Sequence, residues 1–350
     1  MGSRQPARDA AHPTPSMVPL SVLDLFPVSS GSTATTAIHD SIALARRVDA
    51  LGYTRYWIAE HHNLPSIASS APEILIGHVA GVTKRIRVGS GGIMLPNHAP
   101  LHVLEVFKTL EALYPGRIDL GIGRAPGTDP VTSAALRRQS STGGEVNEQI
   151  AELVAFARHE FPASHPFETI QVTPSDGVVP PIWMLGSTRA GAAIAATLGV
   201  GFAFAGHFNM GEAKGAIAQY RNRFEPTAAM PASRLIMAVS VVCGENDAHA
   251  KELAAPLRVA FARIATGRPG PFPSIEEAKR YQFSPGELAA VERFAEGAII
   301  GGPERVREGL ERLVATTSAD EIMVSTVVPV QSERVASYER VAKLWALPAS

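Results

Sequence analysis

The sequence has few of the features that would tie it to another macromolecule. It contains one cysteine among 350 residues, Cys243, so no disulfide can form within the chain. Cys243 ends an apolar run typical of a strand, which favours a small core residue over a reactive thiol. Basic charge is not in surplus either, because 32 Lys and Arg stand against 33 Asp and Glu. Surfaces that bind nucleic acids or anionic membranes need such a surplus, so the charge balance favours a small-molecule partner.

Long hydrophobic runs are also missing. The least polar stretch, 191–206, is interrupted by Gly199 and Gly201 and is typical of a helix followed by a strand. Residues 1–16 are small and polar and lack the apolar core of a signal peptide, so we expect a disordered tail before one domain over 17–350. These absences, together with the lone cysteine, predict a soluble cytoplasmic protein.

What the sequence does contain is a regular alternation of short β-rich runs and longer amphipathic runs. Several short runs are almost continuously apolar, as in parallel strands that are covered on both faces. Eight alternations predict an α/β fold, a (β/α)8 barrel of the TIM type. A doubly wound open sheet is the alternative, because one miscounted strand would leave the barrel open. The predicted strands are 20–26, 53–59, 86–92, 117–122, 181–186, 201–205, 235–242 and 321–325.

The chain is longer than the roughly 250 residues that a plain barrel needs. The surplus falls in the tail and in loop insertions near 124–145, 159–180 and 266–300. The last of these is rich in glycine and proline and lacks periodicity, which fits either a mobile lid or a surface excursion.

Barrel enzymes place their sites at the carboxyl ends of the strands. The second predicted strand runs into Glu60, His61 and His62, an unusual concentration of titratable groups. One histidine there is suited to donate a hydrogen bond to a ligand or to move a proton. The alternative is a polar loop whose histidines cap backbone groups. The two rings are not expected to share one role, because adjacent side chains point in different directions.

Glycines mark the end of the third predicted strand. Gly91 and Gly92 predict either a place where a flat ligand lies against the backbone or a steric accommodation of neighbouring side chains. The fourth strand leads to Arg124, which we interpret as an anion partner at the rim, with a solvated arginine as the alternative. Its glycines only superficially resemble a dinucleotide-binding loop, because Pro126 follows too closely.

The fifth strand turns through Gly186, Ser187 and Thr188 directly into an alanine-rich helix. Free N–H groups and the positive end of the helix dipole make such a turn an anion site. Ordinary capping by Ser187 or Thr188 is the alternative and is compatible with anion binding. After the sixth strand, Gly206 permits a ligand to approach the backbone closely.

These motifs resemble the bacterial luciferase-like flavin monooxygenase superfamily, and APGTD at 125–129 resembles its single-component, largely uncharacterised branch. The resemblance runs from Leu20 to the C-terminus and rests on the order of four runs, WIAEHH at 57–62, VGSGGIMLP at 88–96, GRIDLGIGR at 116–124 and LGS at 185–187. It implies that His61 is the active-site histidine and that Gly91–Gly92 lies beside the flavin ring as a non-prolyl cis peptide. It also implies that Arg124 and the 186–188 turn meet the flavin phosphate.

The resemblance further implies a reaction and its partners. Reduced FMN from a separate flavin reductase would react with O₂ to give a flavin hydroperoxide, which oxidises a small organic substrate. Asp24, Glu60 and Met94 are expected in the substrate pocket, and no metal is expected. A homodimer is expected through the helices predicted at 71–82 and 101–113.

Two residues depart from the family pattern. Gly123 stands where true luciferases have a reactive cysteine, so light emission from a long-chain aldehyde does not follow. Gly191 stands where relatives often have a hydroxyl residue, which would weaken phosphate binding or shift it to Arg189.

Three alternative functions stay open. One is a deazaflavin-dependent oxidoreductase that transfers hydride, and another is a flavin-binding barrel without catalysis. The third is a metal-dependent hydrolase that uses His61, His62 and Asp119. It is disfavoured because the first predicted strand offers no histidine and the eighth ends without an aspartate.

Overall fold

A computed structural model describes residues 17–137, 143–295 and 297–349, so the predicted tail at 1–16 lies outside the described residues. The strands are β1 (Leu20–Asp24), β2 (Arg55–Ile58), β3 (Arg87–Ser90), β4 (Ile93–Met94), β5 (Ile118–Gly123), β6 (Ile182–Gly186), β7 (Gly201–Ala205), β8 (Leu235–Cys243), β9 (Ala298–Gly301) and β10 (Glu321–Ser325). The α-helices are α1 (Ala34–Ala50), α2 (Pro72–Val82), α3 (Pro100–Leu113), α4 (Pro130–Arg137), α5 (Gly143–Arg158), α6 (Arg189–Thr197), α7 (Gly206–Asn209), α8 (Ala213–Arg223), α9 (Asp247–Ala265), α10 (Ile275–Arg280), α11 (Pro285–Ala295), α12 (Pro303–Thr317) and α13 (Gln331–Leu344).

Eight parallel strands close into a barrel, in the order β1, β2, β3, β5, β6, β7, β8 and β10. Closure is visible at Val324 of β10, which pairs with Val22 on one side and Val239 on the other. The predicted TIM barrel is therefore confirmed and the open-sheet alternative is wrong. Each predicted strand is present, with ends that differ by at most two residues.

Two further strands were not predicted. β4 continues past the glycines that follow β3 and pairs with the end of β5, Met94 beside Gly123. β9 pairs with the last residues of β8, beyond the part of β8 that pairs with β7. β9 ends the insertion at 266–300, which also contains α10 and α11. Backbone hydrogen bonds join Phe272 of this insertion to Val28 and Ser30 after β1, so it is anchored to the barrel rim.

Alternation along the strands fills the amino-terminal end of the barrel with charge pairs. Arg55 lies 2.7 Å from the Asp119 carboxylate and 2.9 Å from that of Glu321, and Arg87 contacts Asp119 at 2.7 Å. The next inward layer is apolar and includes Trp57, whose Nε1 donates to Asp119 at 3.1 Å. This packed end leaves the carboxyl ends of the strands as the place for a site.

The helices form the outer layer and bury one face each against the barrel. In α12, for example, Val306, Leu310 and Leu313 are buried at the helical spacing that the sequence predicts. Among the described residues, no helix is both long enough and apolar enough to cross a lipid bilayer.

Candidate active site

A cavity of about 360 Å³ lies at the carboxyl ends of the strands. This size falls in the range of small-molecule sites. Most of its wall is apolar, and every barrel strand or the loop after it contributes. The lining residues are Leu23, Leu25, Trp57, Ala59, His61, Gly91, Gly92, Met94, Gly123, Arg124, Ala125, Leu185, Gly186, Ser187, Thr188, Gly191, Ala203, Ala205, His207, Phe208, Ala238 and Met323.

His61 is held in the cavity wall with a defined tautomer. Its Nδ1 lies 3.2 Å from the carbonyl oxygen of Gly127, and because a carbonyl only accepts, Nδ1 carries the hydrogen. Burial lowers the pKa of His61. The ring is therefore neutral at pH 7, and its Nε2 has a lone pair available for a proton or a hydrogen bond.

Its neighbours Glu60 and His62 have a different task. Glu60 is fully buried and accepts hydrogen bonds from Nε2 of His62 and of His98, both at 2.8 Å. It also accepts from the backbone N–H of Met94 at 2.7 Å. Burial alone would raise the pKa of Glu60, but the hydrogen bonds from the two imidazoles outweigh it and keep the pKa below its usual value. Glu60 thus fixes the loop beneath the cavity rather than lining it, and the predicted pocket position is corrected.

Asp24 also lies outside the cavity. Its side chain is fully buried, accepts the backbone N–H of Phe26 at 2.8 Å and pairs with the guanidinium of Arg334 on α13. The physical reason is the two-residue period of a strand: Leu23 and Leu25 point into the barrel, so Asp24 points outward to the helices. The prediction of Asp24 as a pocket residue was wrong by one position.

The glycine pair forms a side-chain-free stretch of the cavity wall, and its peptide bond is cis. A Cβ at Gly91 would lie 2.5 Å from Cδ1 of Leu23, and one at Gly92 would lie 2.8 Å from the carbonyl oxygen of Gly121. Backbone packing therefore requires glycine at Gly92 whether or not a ligand is bound, whereas a Cβ at Gly91 would displace the end of the Leu23 side chain. Of the two sequence interpretations, the steric one is confirmed, and the flat-ligand one stays a prediction.

Another part of the wall contains groups suited to an anion. The half-buried Arg124 lines the cavity, and within the described parts of the chain no carboxylate pairs with it. Thr188 caps α6 by accepting the N–H of Gly191 at 3.4 Å, so the capping interpretation is confirmed. Ser187 lines the cavity beside that helix end. Arg189 is exposed and bonded to Glu212 at 3.2 Å outside the cavity lining, so it is not placed to replace a hydroxyl at Gly191.

The loop after β7 contributes a residue that the sequence analysis missed. Gly206 does not line the cavity; a Cβ there would lie 2.8 Å from the backbone carbonyl oxygen of Ala238, so packing requires the glycine. The next residue, His207, does line it. Burial lowers the pKa of His207 to about 4, and its buried Nδ1 has no hydrogen-bond partner among the residues that the structure describes. Its position directly after a predicted strand end was a signal that the sequence already contained.

The site can now be compared with known proteins. A sequence model of the luciferase-like monooxygenase family matches residues 18–321. The chain belongs to this family. It is 39% identical to a luciferase-like monooxygenase of Escherichia coli K12, over 93% of this chain and 96% of that protein. It is 34% identical to the N-acetyl-S-alkylcysteine monooxygenase of Bacillus subtilis, over 92% of this chain and 97% of that one.

Solved structures agree with the family. The crystal structure of apo-MsnO8 has a TM-score of 0.85 at 36% identity and covers 95% of this chain and 100% of its own. The oxygenating constituent of 3,6-diketocamphane monooxygenase from Pseudomonas putida, in complex with FMN, has a TM-score of 0.67 at 18% identity, covering 93% and 97%. An F420-dependent secondary alcohol dehydrogenase has a TM-score of 0.66 at 15% identity, and the match covers 93% of this chain and 98% of that one. The last two likenesses show the fold alone, whereas the family and its monooxygenase relatives support an oxidoreductase.

In this luciferase-like monooxygenase family member, the residues of the hydrolase alternative do not converge. Asp119 binds two arginines at the closed end of the barrel, His62 binds Glu60, and His61 binds the Gly127 carbonyl. Over the described ranges, no group of three or more His, Cys, Asp or Glu side chains is placed to hold a metal ion. The geometry gives that alternative no support.

Proposed function

We propose that the protein is a flavin-dependent monooxygenase that uses reduced FMN and O₂ to oxidise a small, largely apolar organic substrate. One observation carries this proposal: a single cavity combines an anion-binding part with a neutral, proton-accepting histidine. Arg124 and the start of α6 form the first part, and His61 forms the second. Glycine and apolar side chains make up most of the remaining wall.

The residues present fit FMN. A phosphate would give Arg124 the anionic partner that it lacks among the described residues, and the start of α6 would add backbone N–H donors. The Ser187 hydroxyl is suited to donate there as well. Gly91 and Gly92 present backbone without side chains to the cavity, as a flat ring requires.

The protein's own part in the chemistry would be to place and protect the reacting groups. Reduced FMN, when bound, supplies the electrons that activate O₂. His61 holds its Nδ1 proton against Gly127 and accepts a hydrogen bond or a proton at Nε2. Apolar walls formed by Leu25, Trp57 and Leu185 exclude water from that place.

The substrate and partners of this reaction are further parts of the proposal. The apolar wall favours a substrate with an apolar reacting part, and the relative that oxidises N-acetyl-S-alkylcysteines makes thioethers the first class to test. A separate flavin reductase would supply reduced FMN. We also propose a homodimer, with Ile74 on α2 and Leu113 on α3 exposed at 70% and 63%.

The test is a titration of the purified chain with FMN, reduced FMN and reduced deazaflavin, followed by flavin fluorescence and absorbance. Reduced FMN is expected to bind most tightly. After mixing with O₂, oxidised FMN should reappear more slowly in the wild type than in His61→Ala, because the variant lacks the hydrogen bond that Nε2 of His61 accepts from the bound reactants. His39→Ala, on the exposed face of α1, serves as the matched histidine control.

Each other outcome points to a different function. Preference for the deazaflavin would move the protein to hydride transfer. Equal reoxidation rates in the wild type and His61→Ala, with no more thioether oxidation by either protein than by free reduced FMN, would indicate a flavin-binding barrel without catalysis. If the protein binds neither form of FMN nor the reduced deazaflavin, the flavin assignment is refuted.

A further inference from the structure

Two methionines line the cavity, and they differ in exposure. Met323 of β10 is 1% exposed and packs with Leu23 and Trp57 in the inward layer of the barrel. Met94 of β4 is half-buried in the cavity wall. Met94 is therefore the cavity thioether that a small reactant in the cavity reaches more readily.

The Met94 side chain occupies a space that exists because residues 123 and 127 are glycines; this space is called the Met94 seat below. Met94 pairs with Gly123 between β4 and β5, and a Cβ at Gly123 would lie 2.8 Å from the Met94 sulfur. A Cβ at Gly127 would lie 2.9 Å from Cγ of Met94. The backbone N–H of Met94 donates to the buried Glu60 at 2.7 Å, which fixes the residue at this place.

This seat adjoins the groups to which the proposed reaction assigns roles. The carbonyl of Gly127 accepts the Nδ1 hydrogen of His61 at 3.2 Å, and Gly123 precedes Arg124 in the chain. A thioether sulfur is among the side-chain atoms that peroxides oxidise most readily. The structure therefore places an oxidisable sulfur in the same cavity wall as His61, next to the glycine whose carbonyl orients that histidine.

We propose that Met94 is a modification site, oxidised to methionine sulfoxide by hydrogen peroxide that forms within the cavity. The proposal rests on the FMN-dependent function above, since reduced flavin that meets O₂ without a substrate yields hydrogen peroxide. The Met94 sulfur attacks one peroxide oxygen and the O–O bond breaks. A sulfur–oxygen bond forms, and the other oxygen leaves as water with both hydrogens. Sulfur loses two electrons and the peroxide gains them.

Oxidation changes the cavity, because it adds a polar oxygen to an apolar wall. The seat is bounded by the backbones of Gly123 and Gly127, so the larger sulfoxide must shift toward the cavity. Oxidation of Met94 would thus lower the affinity for FMN when the enzyme reacts with O₂ in the absence of its organic substrate. Methionine sulfoxide reductases reverse this modification.

The experiment uses the full chain with reduced FMN, O₂ and no organic substrate, with catalase in solution to destroy peroxide that escapes the cavity. Peptide mass spectrometry then measures sulfoxide at Met94 and Met323, and at Met17, which is 37% exposed. We expect several-fold more sulfoxide at Met94 than at Met17. Hydrogen peroxide added to the protein without FMN and catalase should reverse this order, because Met17 is the more exposed.

FMN fluorescence in the same samples separates this proposal from the proposed function. If FMN binds and O₂ is consumed but Met94 is oxidised no more than Met17, the modification site is refuted and the FMN function stands. If FMN does not bind, both are refuted. The FMN affinity of Met94→Leu should be the same before and after this treatment, whereas the FMN affinity of the wild type and of Met17→Leu should fall several-fold. An equal fall in affinity in all three proteins would refute the role assigned to the sulfoxide.

Discussion

At the scale of single residues, His61 depends on two features of its surroundings. The Gly127 carbonyl fixes the hydrogen on Nδ1, and burial lowers the pKa of the ring. His207 shares the second feature in stronger form, with a pKa lowered by burial to about 4. The two imidazoles also lie close enough that a proton on His61 would disfavour protonation of His207. Both rings enter a neutral-pH reaction uncharged, which keeps Arg124 as the cationic group of the cavity wall.

This burial predicts a pH-dependent stability. Between pH 6.5 and about 4, an unfolded chain binds a proton at His207 that the folded chain does not bind. The free energy of unfolding should therefore fall as the pH falls through this window, by up to about 3 kcal/mol from His207. Urea unfolding at a series of pH values measures the slope, which should be shallower in His207→Asn. A slope identical in both proteins would contradict the burial of a neutral ring.

At the scale of elements, the buried pair of Asp24 and Arg334 fastens the last helix, α13, to the first strand, β1. Asp24 is fully buried and Arg334 is 2% exposed, and Nε of Arg334 also donates to the Thr326 carbonyl at 3.1 Å. Removing one partner leaves the other charge buried without compensation. The chain termini of the barrel domain are thus joined by a charge pair that the sequence spacing does not reveal.

Arg334→Met is expected to lower the free energy of unfolding by about 3–5 kcal/mol. Chemical denaturation measures the change. Glu339→Gln provides the matched control on the same helix, because its pair with Arg47 is about half exposed and such pairs contribute about 0–1 kcal/mol. Similar losses in the two variants would show that burial does not set the value of the Asp24 pair.

At the scale of the whole molecule, the barrel leaves two apolar side chains exposed on neighbouring helices. Ile74 of α2 and Leu113 of α3 are 70% and 63% exposed, and these helices follow the second and third barrel strands. A dimer would cover such side chains. We expect light scattering to give twice the monomer mass for the wild type.

The double variant Ile74→Lys/Leu113→Lys should instead be monomeric, because two buried charges would oppose the contact. Ile264→Lys, at a 48% exposed position on α9, tests whether any surface charge has this effect. A monomeric wild type, or a double variant that stays dimeric, would remove these helices as the interface.

The sequence by itself determined the number and order of the barrel strands, because the short apolar runs and the helix patterns between them depend on local periodicity. It also predicted that His61, the glycine pair and the turn into α6 lie at the carboxyl ends of the strands, where the structure has its cavity. The strand β9 at the end of the 266–300 insertion was not predicted, because it is defined by its pairing with β8 and not by a periodic pattern of its own.

Only the tertiary structure decided which way each side chain points. A shift of one position separates Asp24, paired outside with Arg334, from Leu23 and Leu25 inside the cavity. The same holds for Glu60, which binds residues distant in the chain, and for His207, which lines the cavity beside the glycine that was predicted. These outcomes depend on contacts between segments far apart in sequence, and closure of the barrel is what brings those segments together.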